Sequence, residues 1–233
     1  MAENYTAVLF SAGLDSAVLA ADALARGRVQ PIYVSVGFAW EAEELAMAAR
    51  LFACAPFTGR VEPLAMLSFD MRDVFPASHW AVKGEPPAFD TPDEDVYIHG
   101  RNVILASKAA VYLSRAAFTR SAEPDQPTRL LIGTLAGNPF PDATPEFFDA
   151  MSRALSLGTG ARLIIEAPFA SLHKSDVIRR GVELGVPLEL TLSCMQPKDG
   201  RHCGQCSKCR ERRDAFHEAG VGDPTSYRQA PVR

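Results

Sequence analysis

The chain has 233 residues, of which 47% are hydrophobic and 22% charged, and a formal net charge of −4. Such a length supports a large buried core, and the balance is that of an ordinary globular protein. A global basic footprint is missing, so nucleic acid is not an expected partner. No apolar run has the length of a membrane span.

Met1–Tyr5 carries neither a basic start nor a long apolar run. It does not read as a secretory signal, and the chain is expected in the cytoplasm. Thr6–Phe10 predicts a strand, and Ser16–Arg26, rich in Ala and Leu, predicts a helix ended by Gly27. A second strand is expected over Val29–Val36, a helix over Glu41–Phe52 and a third strand over Val61–Leu67. Phe69–Gly100 breaks the rhythm with Pro76, Pro86, Pro87, Pro92 and several acids. A long irregular segment in a compact domain is usually functional or mobile. Asn102–Phe118 reads as a long apolar helix, Leu130–Gly133 as a short strand, and Pro145–Leu155 as a helix with proline in its first turn. Leu163–Glu166 (strand), Ser175–Leu184 (helix) and Cys209–Ala219 (helix) complete the series.

This alternation predicts an α/β fold: a doubly wound, mostly parallel five-stranded sheet with helices on both faces. Ligands in such sheets bind beyond the carboxyl ends of the strands, so chemistry is expected in the loops after Phe10, Val36 and Gly133.

The first of these loops reads Phe10-Ser11-Ala12-Gly13-Leu14-Asp15-Ser16. A small-residue loop before a helix lets backbone N–H groups approach a phosphate closely. Ser11 and Ser16 add hydroxyls. No Gly-Lys-Ser/Thr follows, and no G-x-G-x-x-G is present, so Walker A and dinucleotide readings fail. Two roles are open to Asp15: a helix-capping carboxylate, or a carboxylate that meets phosphate through Mg²⁺.

Four of the five cysteines crowd together as Cys194, eight residues, then Cys203-x₂-Cys206-x₂-Cys209. Four thiolates at this spacing match a closed tetrahedral zinc site. An iron–sulfur cluster is the rival, but the fourth cysteine and proline of ferredoxin spacing do not follow Cys209. His202 is a spare ligand that four sulfurs do not need. Cys54 reads as a small core residue.

The loop resembles the Ser-Gly-Gly-x-Asp-Ser PP-loop of the ATP pyrophosphatase superfamily, with Ala12 at a position usually Gly. A methyl group is tolerable there unless φ must be positive. Loop and cysteine cluster together resemble the 7-cyano-7-deazaguanine synthase family, supported by His99–Ser107, Pro141–Thr159 and the stretch Ala167–Glu189. The resemblance covers nearly the whole chain and is weakest over Phe69–Asp95. It implies an adenine nucleotide alpha hydrolase-like domain over 1–190 and a small helical zinc module over 191–233.

It also implies a C–N ligase of queuosine-type deazapurine biosynthesis. ATP adenylates 7-carboxy-7-deazaguanine, ammonia displaces AMP to give an amide, and a second activation yields the nitrile. The implied cofactors are ATP, Mg²⁺ and Zn²⁺, and a homodimer is the implied assembly. The residues matching the motif for the nucleotide are Phe10, Ser11, Ala12, Gly13, Leu14, Asp15 and Ser16, with Arg101, Asn102 and Lys174; Asp15, Ser16 and Arg101 are the catalytic candidates. The metal candidates are Cys194, Cys203, Cys206 and Cys209.

Local readings compete at several positions. Arg101 is a clamp on phosphate or carboxylate, or bonds loop carbonyls; Asn102 caps a helix. Lys174 reaches the nucleotide or lies on a solvated face, and Asp142 and Glu146 line the pocket or steady a helix start. Arg210, Arg212 and Arg213 read as a solvated or subunit-facing surface. Val36–Glu41 and Leu135–Phe140 replace polar family residues with apolar and aromatic ones. A paralogue that activates a different carboxylate is the alternative this raises, with Phe38 or Trp40 stacking on a flat ring or packing on the core. A tRNA-thiolating PP-loop enzyme and a non-catalytic ATP-binding partner protein are the further alternatives.

Overall fold

The computed structural model describes residues 6–115 and 127–230. Met1–Tyr5 and the predicted helical residues 116–118 lie outside the described residues.

Five strands form one all-parallel sheet in the order β3-β2-β1-β4-β5, with β1 at Thr6–Leu9, β2 at Val29–Ser35, β3 at Ala65–Ser68, β4 at Thr128–Leu131 and β5 at Leu163–Glu166. β1 is central and all four of its residues are buried, as expected of a parallel strand covered on both faces. The chain first winds outward from β1 through β2 to β3, then returns to place β4 on the other side of β1. The exits of β1 and β4 therefore lie side by side at the topological switch point. Backbone bonds extend both ladders one residue further, from Phe10 N to Ile32 O at 2.8 Å and from Ile132 N to Glu166 O at 2.9 Å.

Among the described residues the α-helices are α1 (Leu14–Ala23), α2 (Glu41–Phe52), a short α3 (Trp80–Lys83), α4 (Arg101–Ser114), α5 (Pro145–Thr159), α6 (Lys174–Glu183) and α7 (Ser207–Ala219). α4 lies against β2, β3 and β4 and packs on α5; α1 packs on α6, and α6 on α7. One hydrophobic cluster runs from Ala7 through the four clustered cysteines to Phe216, so the C-terminal segment shares the core of the sheet domain. Among the described residues no helix is long and apolar enough to cross a membrane.

Several element boundaries differ from the sequence reading. β3 begins at Ala65 rather than Val61. Pro63 has no N–H for a ladder, and Val61 makes only an isolated bridge to Val29. α1 begins two residues early, with Gly13 in extended conformation at its cap. Asp15 therefore sits inside the first helical turn and is not the cap. Cys54 is half-buried in the turn after α2 rather than in the core.

Candidate active site

The turn between β1 and α1 is held by its two serines. Ser16 Oγ donates to Gly13 O at 3.1 Å and accepts from Ser11 N at 3.2 Å, and Gly13 N donates to Ser11 Oγ at 3.4 Å. Ala12 has φ +55°, a left-handed conformation that costs an L-residue about 1–2 kcal/mol. The condition that makes a methyl group awkward at this position is met, and Ala12 is fully buried. Phe10 and Leu14 are buried on either side of the turn. The next loop rests directly on α1: a Cβ at Gly133 would lie 3.3 Å from Asp15 C and 3.4 Å from Ser16 N.

A cavity of about 280 Å³ opens beyond β1, β2 and β4, walled by the turn, the start of α4 and Val96–Ile98. Among the described residues, four buried side-chain polar atoms have no hydrogen-bond partner: Asp15 Oδ1, Arg101 Nε, Thr134 Oγ1 and Ser207 Oγ. The first three residues line this one cavity. Buried polar groups are nearly always paired, because an orphan costs about 1–3 kcal/mol. Three lining residues that each carry an unpartnered polar atom make this space suited to a polar or charged ligand. An anionic oxygen carrying a coordinated cation matches the set, since Asp15 offers an acceptor while Arg101 and Thr134 offer donors. Burial raises the Asp15 carboxyl above its ordinary range, and Lys174 opposes that rise.

Arg101 is the first residue of α4, whose cap is Gly100 in the left-handed conformation. Asn102 does not cap the helix; it lies within the first turn and is held by a neighbour. Its N–H donates to Asp142 Oδ2 at 3.0 Å and its amide to Asp142 O at 2.9 Å. Asp142 is the buried residue that caps the start of α4, and its carboxyl is raised by burial against the pull of that N–H. Glu146 is exposed at the start of α5 and does not line the cavity.

The wall beyond β2 is stiff. Glu41 Oε1 accepts from Val36 N at 2.7 Å and Phe38 N at 3.1 Å, while Oε2 accepts from Ser35 Oγ at 2.6 Å. Glu44 is buried and accepts from the Tyr33 hydroxyl at 2.6 Å. Burial pushes its carboxyl up to about 7, against the attraction of Arg101. Trp40 stacks on Trp80 with centroids 5.6 Å apart, and Phe38 sits 5.4 Å from Trp40. Both aromatics pack into the core, and both still border the cavity.

Lys174 does not lie on a solvated face. It opens α6, its side chain is 16% exposed, and its Nζ pairs with Glu211 and lies 3.6 Å from Asp15 Oδ2. Burial works against its charge, but Asp15 and Glu211 prevail and raise its pKa. Glu211 also accepts from Lys208 at 2.7 Å, and Lys208 reaches Asp93 at 3.2 Å. Burial disfavours the Glu211 carboxylate, yet the two lysines hold its pKa down at about 2.

The four clustered cysteines are buried, and their sulfurs all lie within 4.8 Å of one another. Tetrahedral zinc with bonds of about 2.3 Å puts sulfurs about 3.8 Å apart. The observed separations are 3.8 Å for Cys203–Cys209 and 3.5 Å for Cys206–Cys209. Backbone N–H groups of Gln196 and Cys203 point at Cys194 Sγ, and that of Gln205 at Cys203 Sγ. These donors favour thiolate, so the residues present fit a metal ion. His202 is not in the set: its Nε2 accepts from Ser193 N at 3.1 Å, and burial pushes its pKa down to about 3.

Arg212 corrects the expected solvated surface. It is 1% exposed and donates to Leu188 O, Thr191 Oγ1, Ser193 Oγ and Thr225 Oγ1 at 2.6–3.1 Å. Arg210 and Arg213 lie over the Phe89 ring.

Thr134, Glu41, Glu44, Lys208 and Glu211 were invisible to sequence reasoning as site residues. Their roles arise from partners brought together by the fold, and no local spacing signals them.

A family model described as "Queuosine biosynthesis protein QueC" matches residues 6–220. A 7-cyano-7-deazaguanine synthase from Myxococcus xanthus is 35% identical over 233 residues, covering 96% of this chain and 97% of that one. One from Anaeromyxobacter dehalogenans is 34% identical over 230 residues, covering 94% of each. A 116-residue stretch is 45% identical to the synthase of Methanoculleus marisnigri, 48% of this chain and 52% of that one. With the family model spanning most of the sequence and relatives matched almost end to end, the chain belongs to the QueC family of queuosine biosynthesis proteins.

Proposed function

We propose that the chain is an ATP-dependent C–N ligase that converts 7-carboxy-7-deazaguanine and ammonia to 7-cyano-7-deazaguanine. The observation that carries this reading is that Asp15, Arg101 and Thr134, each with a buried polar atom left unpartnered, line one cavity beside the serine-braced turn. Membership of a family whose named relatives are such synthases supports it.

A carboxylate oxygen is a poor leaving group and AMP a good one. The turn's N–H groups, Ser11 and Ser16 grip the phosphates, and Arg101 and Lys174 offset their charge. Asp15 would hold a magnesium ion, whose positive charge would let a carboxylate sit beside phosphate. The acid's oxygen attacks the α-phosphorus, pyrophosphate departs, and ammonia displaces AMP to give the amide and release a proton. The amide oxygen then attacks the α-phosphorus of a second ATP and pyrophosphate departs; loss of AMP and of both amide protons leaves the nitrile. The stacked walls exclude water, which would otherwise compete with ammonia for the acyl adenylate. Cys194, Cys203, Cys206 and Cys209 would hold zinc, which would tie the cysteine-bearing segment to the sheet domain. The reading places the reaction in the cytosol, where thiols stay reduced, and includes a homodimer, which sedimentation measures.

Incubation with Mg-ATP, ammonium and 7-carboxy-7-deazaguanine, followed by mass spectrometry, tests the reading. The expected products are the amide and then the nitrile, with two AMP per nitrile. ATP turnover with another carboxylic acid alone would favour a second reading, in which the Phe38–Trp40 wall selects a different substrate.

A further inference from the structure

Lys174 and Asp15 face each other across the phosphate-binding turn without closing on each other. Their nearest atoms are 3.6 Å apart, too far for a charge-assisted hydrogen bond, which settles at about 2.7–2.9 Å. A lysine left alone beside a buried carboxylate would collapse onto it, since its stem is flexible and its ammonium is a mobile point charge. Glu211 prevents this. One of its oxygens holds Lys174 Nζ, and the other accepts from Lys208 at 2.7 Å. Lys208 is tied in turn to Asp93 at 3.2 Å, so the Glu211 carboxylate is fixed from both sides. Arg210 Nη2 donates to Thr91 O at 3.3 Å and braces the same contact between α7 and the 89–93 segment. The result is an ammonium with unused donor capacity beside a carboxylate oxygen, Asp15 Oδ1, that has no partner. The second cavity, of about 460 Å³, is lined by Asp15, Lys174, Lys208 and Glu211 and adjoins the first through Asp15, Gly133, Asn138 and Phe140.

We propose that Glu211 is a positioning residue: it holds the Lys174 ammonium off Asp15, so that the lysine can take a phosphate oxygen and the carboxylate a cation. The inference rests on the nucleotide-binding reading above. It assigns no chemistry to Glu211, which acts only through Lys174.

The test is Mg-ATP binding by calorimetry to the full chain with its metal in place, for wild type, Glu211→Gln, Lys174→Met and the double variant. Metal content and melting temperature are measured alongside. The glutamine keeps the shape and removes the charge. The expected result for Glu211→Gln is about tenfold weaker Mg-ATP binding, a difference of about 1.4 kcal/mol, with metal content unchanged. KM for ATP rises in step while KM for the carboxylate substrate stays the same. The double variant binds no more weakly than Lys174→Met, because Glu211 has nothing to position once the ammonium is gone. Wild-type affinity in Glu211→Gln, additive losses in the double variant, or loss of metal from Glu211→Gln each overturns the inference. If wild type itself binds no Mg-ATP, the functional reading fails first and this one with it.

Discussion

Leu192 donates its backbone N–H to the carbonyl of Ala12 at 2.8 Å. The contact joins the segment leading to Cys194 with the residue that turns β1 into α1 through a left-handed conformation. The cysteine-bearing region thus braces the turn at its most strained point.

Substitution of Ala12 measures that strain. Glycine relieves about 1–2 kcal/mol of left-handed strain, but it adds unfolded-state entropy worth about 0.4–1 kcal/mol and removes a buried methyl worth about 0.8 kcal/mol. Ala12→Gly is expected to leave stability within about 1 kcal/mol of wild type. Ala12→Val puts a branched side chain at positive φ in a fully buried site and is expected to cost about 2–4 kcal/mol. Urea unfolding distinguishes the two, and equal effects would remove the strain argument.

Asp15→Asn is expected to abolish most turnover, by at least about a hundredfold, the scale of losing one preorganised electrostatic group. The metal bound by the four cysteines is expected to remain. Because the folded-state pKa of Asp15 is raised by burial, the native state holds this proton more tightly than the unfolded chain. Its ionisation therefore costs stability as pH rises past the ordinary carboxylate range. The variant is consequently expected to be no less stable than wild type at neutral pH. A variant that turns over normally would take Asp15 out of the chemistry.

Glu44 makes a pH prediction with the same sign. Its carboxyl stands at about 7 in the folded protein against 4.5 in the unfolded chain. Between those values the native state binds more protons, so stability falls as pH rises through the window. The difference corresponds to at most about 3 kcal/mol. Glu44→Gln is expected to flatten the decline and to be the more stable protein above pH 7, as read from unfolding midpoints at pH 5 and 8. A glutamine variant that parallels wild type across this range contradicts the assignment.

Arg212 holds four acceptors together, three along residues 188–193 and one at Thr225. Arg212→Met fills similar space but leaves those oxygens unpaired, and it is expected to cost about 3–5 kcal/mol. Arg212→Lys retains the charge without the planar fork, so it recovers only part of the loss. Denaturant midpoints should fall in that order with little change in slope; a surface arginine would give no measurable shift.

Periodicity and punctuation made the sheet readable in advance. Apolar runs such as Leu163–Glu166 agree to the residue, and Gly220 closes the last helix as expected. The cysteine spacing likewise announced a compact sulfur cluster. What escaped was anything whose meaning comes from a distant partner. Arg212 looks no different from Arg213 along the chain, and only the 188–193 segment and Thr225, brought to it by the fold, surround one of them. Asn102 reads as a cap because nothing nearby reveals that Asp142, forty residues later, takes its N–H. Glu44 sits in an amphipathic helix rich in acids, and its hydroxyl partner comes from the neighbouring strand. Ala12 stands out in the sequence, but its positive φ belongs to the closed turn, and Leu192, the donor to its carbonyl, lies far along the chain.

Gly133 follows β4 at the sheet's switch point. With no side chain there, the strand exit that carries Thr134 lies in van der Waals reach of the peptide between Asp15 and Ser16. Whatever tugs on that peptide must also nudge the neighbouring exit. On the proposed ligase reading, nucleotide and acid would share that contact as a floor, and the saturation curve for ATP is expected to change with the concentration of the acid, as rates measured at crossed concentrations would show.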